Sequence, residues 1–147
     1  MIYIIIPVYN RINKTIKCIN SIHKQNRKDV TIIVVDDAST DNTKKIINEK
    51  YSDVIVLNGN GYLFWTGAIE LGVNYVLDTC SEKDWILLAN NDVEFENDCI
   101  EKLVSLSEKY NRKIIASALS VDLKDKKTII KSGTIIKSWF FNLNYQI

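Results

Sequence analysis

The chain has 147 residues, of which 46% are hydrophobic and 25% charged, and its 19 basic and 18 acidic side chains give a formal net charge of +1. This composition is typical of one soluble globular domain, and it argues against nucleic-acid binding, which needs a clustered basic excess. A single histidine and three widely spaced cysteines argue against a zinc site and fit a reduced, cytoplasmic setting.

The predicted elements alternate between strands and helices. Short, continuously apolar runs predict strands that are buried on both faces, and apolar residues at helical spacing predict helices between them. The predicted strands are residues 2–6, ended by Pro7, then 30–35, 54–57, 85–89 and 114–118, with an extended segment at 128–136. The predicted helices are residues 13–25, 44–50 (capped by Ser39, Thr40 or Asp41), 66–77, and one around 100–106 that Asn97 or Asp98 caps. This order predicts an α/β fold with a mostly parallel sheet flanked by helices.

Four polar or glycine-containing segments follow four successive predicted strands. They are residues 7–11, 36–37, 59–61 and 90–92. Because parallel strands end at one edge of a sheet, where open α/β folds bind their ligands, we expect all four segments to meet there. The carboxylates at two of these strand ends predict a site for a metal ion and a polar ligand such as a nucleoside diphosphate.

These segments resemble those of family 2 glycosyltransferases, which have the Rossmann-like GT-A nucleotide-diphospho-sugar transferase fold. The resemblance rests on residues 7–11, 35–41 and 90–93, in the right order and spacing. Residues 59–68 are similar to a bacterial subgroup that includes rhamnosyltransferases. The family implies an inverting, metal-dependent enzyme of polysaccharide biosynthesis. It would transfer a sugar from a UDP- or dTDP-sugar to a polysaccharide or lipid-linked glycan acceptor.

The resemblance also implies a nucleotide-binding role for residues in these segments. Pro7 and Tyr9 would line the base, and Asp37 would accept the N3–H that uracil and thymine share. The other nucleotide-binding candidates are Arg11, Asp36, Gly59, Gly61, Trp65 and Asn91. Simpler roles stay open for several of them: a helix cap or a solvated side chain for Arg11, capping for the aspartates, a turn for the glycines and core packing for Trp65.

The segment at residues 90–92 occupies the place of the family's metal-binding Asp-x-Asp motif. Asp92 and Asn90 are therefore the predicted ligands of Mg2+ or Mn2+, which prefer oxygen ligands and share the diphosphate. The ion would offset the charge that develops on the leaving nucleoside diphosphate. An asparagine oxygen can coordinate a metal but brings no charge, so Asn90 predicts a weakened metal affinity.

An inverting glycosyltransferase also needs a general base, and no residue after Asp92 matches the one in the family. We expect this catalytic residue beyond Ile147, so that residues 1–147 would be a single truncated domain that lacks the acceptor part. The alternative is a non-catalytic nucleotide-binding or interaction module. An oxidoreductase is disfavoured because no Gly-x-Gly-x-x-Gly turn follows the first strand.

The expected location and partners follow from composition and resemblance together. We expect a cytoplasmic protein, and peripheral association with the inner face of the membrane is left open. A sheet edge that truncation exposes would favour self-association, because its backbone groups are free to pair with another strand.

Overall fold

The computed structural model describes residues 1–125 and 127–131 and divides into two compact units between Asp98 and Cys99. The first unit alternates strands and helices: β1 (Ile2–Val8), α1 (Ile12–His23), β2 (Val30–Asp36), α2 (Thr43–Lys50), β3 (Val54–Asn58), α3 (Phe64–Leu77) and β4 (Trp85–Leu88). The described part of the second unit contains α4 (Cys99–Lys109), β5 (Ser120–Val121) and β6 (Ile129–Lys131).

A four-stranded parallel sheet in the order β3-β2-β1-β4 forms the centre of the first unit. Ile5 pairs with Ile33 on one side and with Leu88 on the other, which makes β1 an inner strand. Ile4, Ile5 and Ile6 are all fully buried, so both faces of the strand are covered. This burial explains why the strand sequences are continuously apolar rather than alternating, and it confirms the α/β prediction.

Helix α3 packs closely against one face of this sheet. Ala68 and Val76 of the helix join Ile5, Ile33 and Val35 in one buried cluster. Gly72 permits the close approach, because a Cβ atom at this position would lie 2.5 Å from Cγ2 of Ile5. The contact places the start of α3 beside the ends of β1 and β2, where the polar segments follow.

Strand β1 continues through Pro7, which was predicted to end it. The hydrogen-bond pattern explains why a proline is tolerated. The Ile5 carbonyl accepts a hydrogen bond from the amide of Ala89, which directly follows β4. Because the backbone groups of successive residues point to opposite edges of a strand, the nitrogen of Pro7, two residues after Ile5, also faces the β4 side. Pairing with β4 ends at Leu88, so the missing N–H of Pro7 removes no hydrogen bond between strands.

The strand predicted at residues 114–118 is wrong. This segment does not form a strand, and Ile115 within it is 70% exposed. The second unit instead contains a short antiparallel pair, β5 with β6. Apolar composition alone does not make a strand when no neighbouring strand supplies hydrogen bonds. Of the extended segment predicted at 128–136, residues 129–131 form β6 and residues 132–136 lie outside the described residues.

The other predicted elements are confirmed, with ends that differ from the predicted ones by at most three residues. In the part of the chain that the structure describes, every helix is too short or insufficiently apolar to cross a bilayer.

Candidate functional site

The ends of the four parallel strands bring the four polar segments to one edge of the sheet, as expected. Val8 pairs with Asp36 and Asp36 pairs with Asn58, so β1, β2 and β3 end level with one another. A pocket of about 480 Å³ opens at this edge. It is lined by Pro7, Val8, Tyr9, Asn10, Arg11, Asp37, Phe64, Trp65, Ala68 and Asn91.

Six of the predicted nucleotide-binding residues line this pocket: Pro7, Tyr9, Arg11, Asp37, Trp65 and Asn91. The other three, Asp36, Gly59 and Gly61, are not among its lining residues. Tyr9 is 60% exposed and Trp65 is 52% exposed, which excludes the core role that was left open for Trp65. Two aromatic rings are therefore available to a ligand in the pocket.

Sequence reasoning missed Phe64, a pocket residue that is 78% exposed. Its backbone has a φ of 53°, in the left-handed region that a bulky side chain rarely occupies. Its position next to Trp65, after a glycine-rich turn, was the sequence feature from which a pocket role for Phe64 could have been predicted. The strained backbone is set by tertiary contacts and has no signature in the local sequence.

Hydrogen bonds tie the segment after β1 to the segment after β2. The backbone N–H of Asn10 donates to Oγ of Ser39 at 2.7 Å, and the N–H of Thr40 donates back to Oδ1 of Asn10 at 2.8 Å. Asp36 is buried and accepts the N–H of Ser39 at 3.1 Å. Asp36 thus orders the loop that follows β2.

Asp41 joins the beginnings of two helices. Its Oδ2 accepts the N–H of Ile12 at 3.0 Å, and its Oδ1 accepts the N–H of Thr43 at 3.2 Å together with the Thr43 hydroxyl. Partial burial opposes ionisation, but these hydrogen bonds prevail and hold the pKa of Asp41 below its ordinary value. Asp41 thus satisfies the first backbone N–H of both helices, although the N-cap residues themselves are Arg11 and Asn42, which make no side-chain cap hydrogen bond.

Asp37 is engaged by the loop that leads into α3. Its Oδ1 accepts the N–H of Gly61 at 2.7 Å, and its Oδ2 accepts the N–H groups of Leu63 and Phe64 at 3.0 and 3.1 Å. Gly61 has a φ of +88°, which explains the glycine there. The N3–H contact implied for Asp37 stays a prediction, and its carboxylate already has three partners within the protein.

The segment after β4 is held from two sides. The indole N–H of Trp65 donates to Oδ1 of Asn90 at 3.0 Å, and Nδ2 of Asn91 donates to Oγ1 of Thr15 at 3.1 Å. The thiol of Cys18 lies 3.6 Å from the Asn90 carbonyl oxygen. Burial, with smaller contributions from nearby carboxylates, raises the pKa of Cys18 to about 12, so this thiol is a neutral packing group.

Asp92 lies beside two cations. Its Oδ2 is 3.8 Å from a guanidinium nitrogen of Arg11 and 3.9 Å from Nζ of Lys14. Sequence reasoning missed Lys14, which lies in the first turn of α1, three residues after Arg11, the N-cap residue of this helix. Asp92 therefore faces two exposed cations, and one of them, Arg11, also lines the pocket.

The residues predicted as metal ligands offer one carboxylate, from Asp92, and one amide oxygen, from Asn90. Among residues 1–125 and 127–131, no group of three or more His, Cys, Asp or Glu side chains could hold a metal ion. Mg2+ in nucleotide sites is commonly held by one or two carboxylates and completed by substrate phosphates and water. The donor set therefore fits an ion that binds together with a diphosphate.

Residues 3–146 match the model of glycosyl transferase family 2, and the chain belongs to this family. An uncharacterized glycosyltransferase of Mycoplasma genitalium is 30% identical over 122 residues, which are 81% of this chain and 40% of that protein. The chain thus spans about two-fifths of the length of this curated relative.

Two solved structures show the same fold. TarS 1–349 of S. aureus in complex with UDP has a TM-score of 0.60 at 21% identity, over 75% of this chain and 32% of that one. The mannosyltransferase PcManGT of Pyrobaculum calidifontis, in complex with GDP-Man and Mn2+, has a TM-score of 0.61 at 18% identity, over 72% and 32% of the two chains. These likenesses confirm the predicted GT-A fold, and the rhamnosyltransferase-like subgroup stays a prediction.

Proposed function

We propose that this chain is the nucleotide-sugar-binding part of an inverting family 2 glycosyltransferase. The donor is a UDP- or dTDP-sugar, and the acceptor is a polysaccharide or a lipid-linked glycan. The observation that carries the proposal is the pocket at the carboxyl edge of the sheet in a member of this family, where aromatic rings are found together with Arg11, Asp37 and Asn91. TarS was solved with UDP and PcManGT with GDP-Man, so the choice of a pyrimidine nucleotide rests on the family resemblance at Asp37.

The pocket divides into an aromatic part and a charged part, which suit the two ends of a nucleoside diphosphate. The exposed rings of Tyr9 and Trp65 supply apolar faces on which a base or sugar stacks, and Pro7 lines the same pocket. Arg11 and Lys14, which face Asp92, supply positive charge for the diphosphate. Binding would draw both cations away from a weak, exposed ion pair, so little stability is lost.

A divalent ion would belong next to Asp92 and Asn90. When bound there, Mg2+ or Mn2+ would supply the Lewis-acid charge that offsets the leaving diphosphate. Trp65 holds the amide of Asn90 with its oxygen toward the indole N–H, so this oxygen would have to serve both partners. We expect metal affinity to be low without nucleotide and to rise when the phosphates complete the donor set.

A non-catalytic nucleotide-binding or interaction module is the second candidate function. It is favoured by one observation, the amide of Asn90 where the family motif has an acid. The two candidates differ in turnover: a transferase, extended by its acceptor part, hydrolyses or transfers the donor sugar, whereas a binding module does neither.

Replacing Trp65 with alanine should weaken UDP binding by about 5- to 150-fold, because one base–aromatic stack contributes roughly 1–3 kcal/mol. Calorimetric titration of wild type and variant with UDP and dTDP, in the presence of Mn2+, measures the effect. Trp65→Phe is the matched control, since it keeps a ring and removes only the bond to Asn90. If wild-type protein binds neither nucleotide at millimolar concentration, the donor-site proposal is wrong and the interaction module becomes the favoured function.

Replacing Asn90 with aspartate should make nucleotide binding more dependent on metal. The change adds a second carboxylate next to Asp92, and the indole N–H of Trp65 can donate to it as it does to the amide. The ratio of UDP affinities with Mn2+ and with a chelator should rise by about tenfold, because oxygen-ligand sites tighten as ligand charge is added.

Asn60→Asp is the control for Asn90→Asp. It adds the same charge in the loop after β3, and its Oδ1 can still accept the N–H of Tyr62. An equal rise of the ratio in both variants would show that general electrostatics, rather than a ligand at position 90, is responsible.

A further inference from the structure

Helix α1 buries a stripe of polar side chains that the proposed donor site does not use directly. Thr15, Cys18 and Ser21 follow one another at intervals of three residues on one face of the helix, and Gln25 lies two residues after its end. Thr15, Cys18 and Gln25 are at most 1% exposed, and Ser21 is 8% exposed. A buried polar group costs free energy unless it is hydrogen-bonded, so the partners of the stripe indicate which segment it serves.

The hydroxyl groups of Thr15 and Ser21 each join the helix to the segment that follows β4. Nδ2 of Asn91 donates to Oγ1 of Thr15 at 3.1 Å, and the backbone N–H of Phe95 donates to Oγ of Ser21 at 3.0 Å. Each hydroxyl gives its own hydrogen to a carbonyl oxygen about one turn earlier in the chain, at 3.4 Å for Thr15 and 2.7 Å for Ser21. Both oxygens therefore act as acceptors toward the segment.

The other two members of the stripe hold the same segment near its two ends. The thiol of Cys18 donates to the carbonyl oxygen of Asn90 at 3.6 Å, and Nε2 of Gln25 donates to that of Glu96 at 2.7 Å. Residues 90–96 form neither a helix nor a strand. Side chains of the α1 stripe therefore supply hydrogen bonds to a segment that has no regular secondary structure to supply them.

This attachment decides which side chains of the segment face outward. Residues 90, 92, 94 and 96 are exposed, whereas residues 91, 93 and 95 are partly buried. A slip by one residue along the stripe would turn Asp92 toward α1 and Asn91 outward. The same helix carries Lys14 and begins after Arg11, and both of these cations lie within 4 Å of Asp92. One helix thus sets the position of Asp92 relative to the two cations.

We infer that Thr15, Ser21 and Gln25 are positioning residues for the candidate metal site: their hydrogen bonds hold residues 90–96 against α1, so that Asn90 and Asp92 face the donor diphosphate and its ion. This inference rests on the proposed function. A segment that is already ordered loses less conformational freedom when the ion binds, so the stripe should raise metal affinity without touching the ion.

Removing one hydroxyl should lower the metal dependence of nucleotide binding. Residues that orient metal ligands typically contribute about 10- to 100-fold to metal affinity. In Thr15→Val and in Ser21→Ala, the ratio of UDP affinities with Mn2+ and with a chelator should therefore fall by about tenfold or to one, whichever is reached first. The affinity with chelator should stay within about twofold of wild type. The titrations are also made in the Asn90→Asp background, where the higher expected ratio leaves more room for a fall.

Two controls separate positioning from general loss of stability. Thr15→Ser keeps the acceptor oxygen and should keep the ratio. Tyr51→Phe removes another hydrogen bond of the same helix, from the Tyr51 hydroxyl to Oδ1 of Asn20 at 2.8 Å, and should keep the ratio as well. The inference is overturned if affinity falls equally with Mn2+ and with chelator, if a ratio above one is unchanged in Thr15→Val and Ser21→Ala, or if Tyr51→Phe lowers it as much.

A measurement without nucleotide keeps this role separable from the proposed function. In Ser21→Ala, backbone 15N relaxation should show order parameters at residues 91–94 that fall from about 0.85 to below about 0.6, although the hydrogen bond removed is the one to Phe95. Tyr51→Phe should leave them unchanged. A fall confined to Phe95 would overturn the inference. If wild-type protein binds no nucleotide or binds it without metal dependence, the proposed function fails, whereas the relaxation result still decides whether the stripe orders the segment.

Gln25→Met replaces Ser21→Ala if that variant does not fold. It keeps the length of the side chain and removes the donor to the carbonyl oxygen of Glu96. We expect the same fall of the affinity ratio and of the order parameters at residues 91–94. Wild-type values of both in a folded Gln25→Met protein would count against the inference.

Discussion

Replacing Gly72 with alanine is expected to lower the free energy of unfolding by about 1–3 kcal/mol, although the same change inside a helix usually stabilises it by about 1 kcal/mol. The added Cβ atom would lie 2.5 Å from Cγ2 of Ile5 and 3.3 Å from Cγ2 of Val35. Both partners are fully buried. Helix α3 would have to shift away from the sheet, and urea unfolding followed by circular dichroism measures the cost.

Gly67→Ala is the matched control on the same helix. Its Cβ atom would lie 3.3 Å from Cβ of Leu63, a contact far less severe than the 2.5 Å contact at Gly72. We therefore expect this variant to be neutral or stabilised by up to about 1 kcal/mol through helix propensity. A similar loss of stability in both variants would show that contact with the sheet is not what makes Gly72 necessary.

The Gly72 variant should also affect the pocket. Helix α3 begins at Phe64 and carries Trp65, which donates to Asn90 after β4. A helix that shifts on the sheet moves both aromatic rings relative to Pro7 and Tyr9, which stand on β1 and directly after it. We expect UDP affinity to fall in Gly72→Ala and to stay close to wild type in Gly67→Ala, in parallel with the stability result.

Most of the first unit could be predicted because its strands are buried on both faces. Continuous apolar runs such as residues 30–35 have few other stable arrangements, and polar segments after them define the sheet edge. The prediction failed at residues 114–118, where a similar apolar run has no strand partner. Apolar composition indicates that a segment can be buried. Whether it forms a strand depends on hydrogen bonds to a neighbouring strand, which the local sequence does not specify.

The site was predicted less completely because its geometry arises between segments distant in the chain. The left-handed backbone of Phe64 depends on Asp37, which precedes it by 27 residues. The double cap by Asp41 depends on α1, because Ile12 lies 29 residues before it. Motif comparison located Asp37 and Trp65 correctly at the pocket, but their hydrogen-bond partners could be assigned only from the three-dimensional structure.

Replacing Asp41 with alanine is expected to destabilise the protein by about 2 kcal/mol at neutral pH, because two helix N-termini lose a charged cap in one substitution. Ile12 and Thr43 would each keep a backbone N–H without this partner, and the negative charge near both helix dipoles would be lost. The residues between β1 and α1, which include pocket-lining Asn10 and Arg11, should loosen as well. Urea unfolding at pH 7 measures the main effect.

The contribution of Asp41 should disappear in acid, and the sign follows from its lowered pKa. The folded state favours the ionised carboxylate, so the stabilisation is fully present above the ordinary aspartate pKa of about 3.9 and is lost as pH falls through the lower value of the folded protein. The difference between wild type and Asp41→Ala should therefore shrink below about pH 4.

Asp41→Asn keeps a single acceptor oxygen and cannot titrate, so its stability should lie between the two at pH 7 and keep a constant distance from Asp41→Ala as the pH falls. A gap between wild type and Asp41→Ala that stays unchanged down to pH 3 would mean that the carboxylate acts through packing rather than through its charged hydrogen bonds.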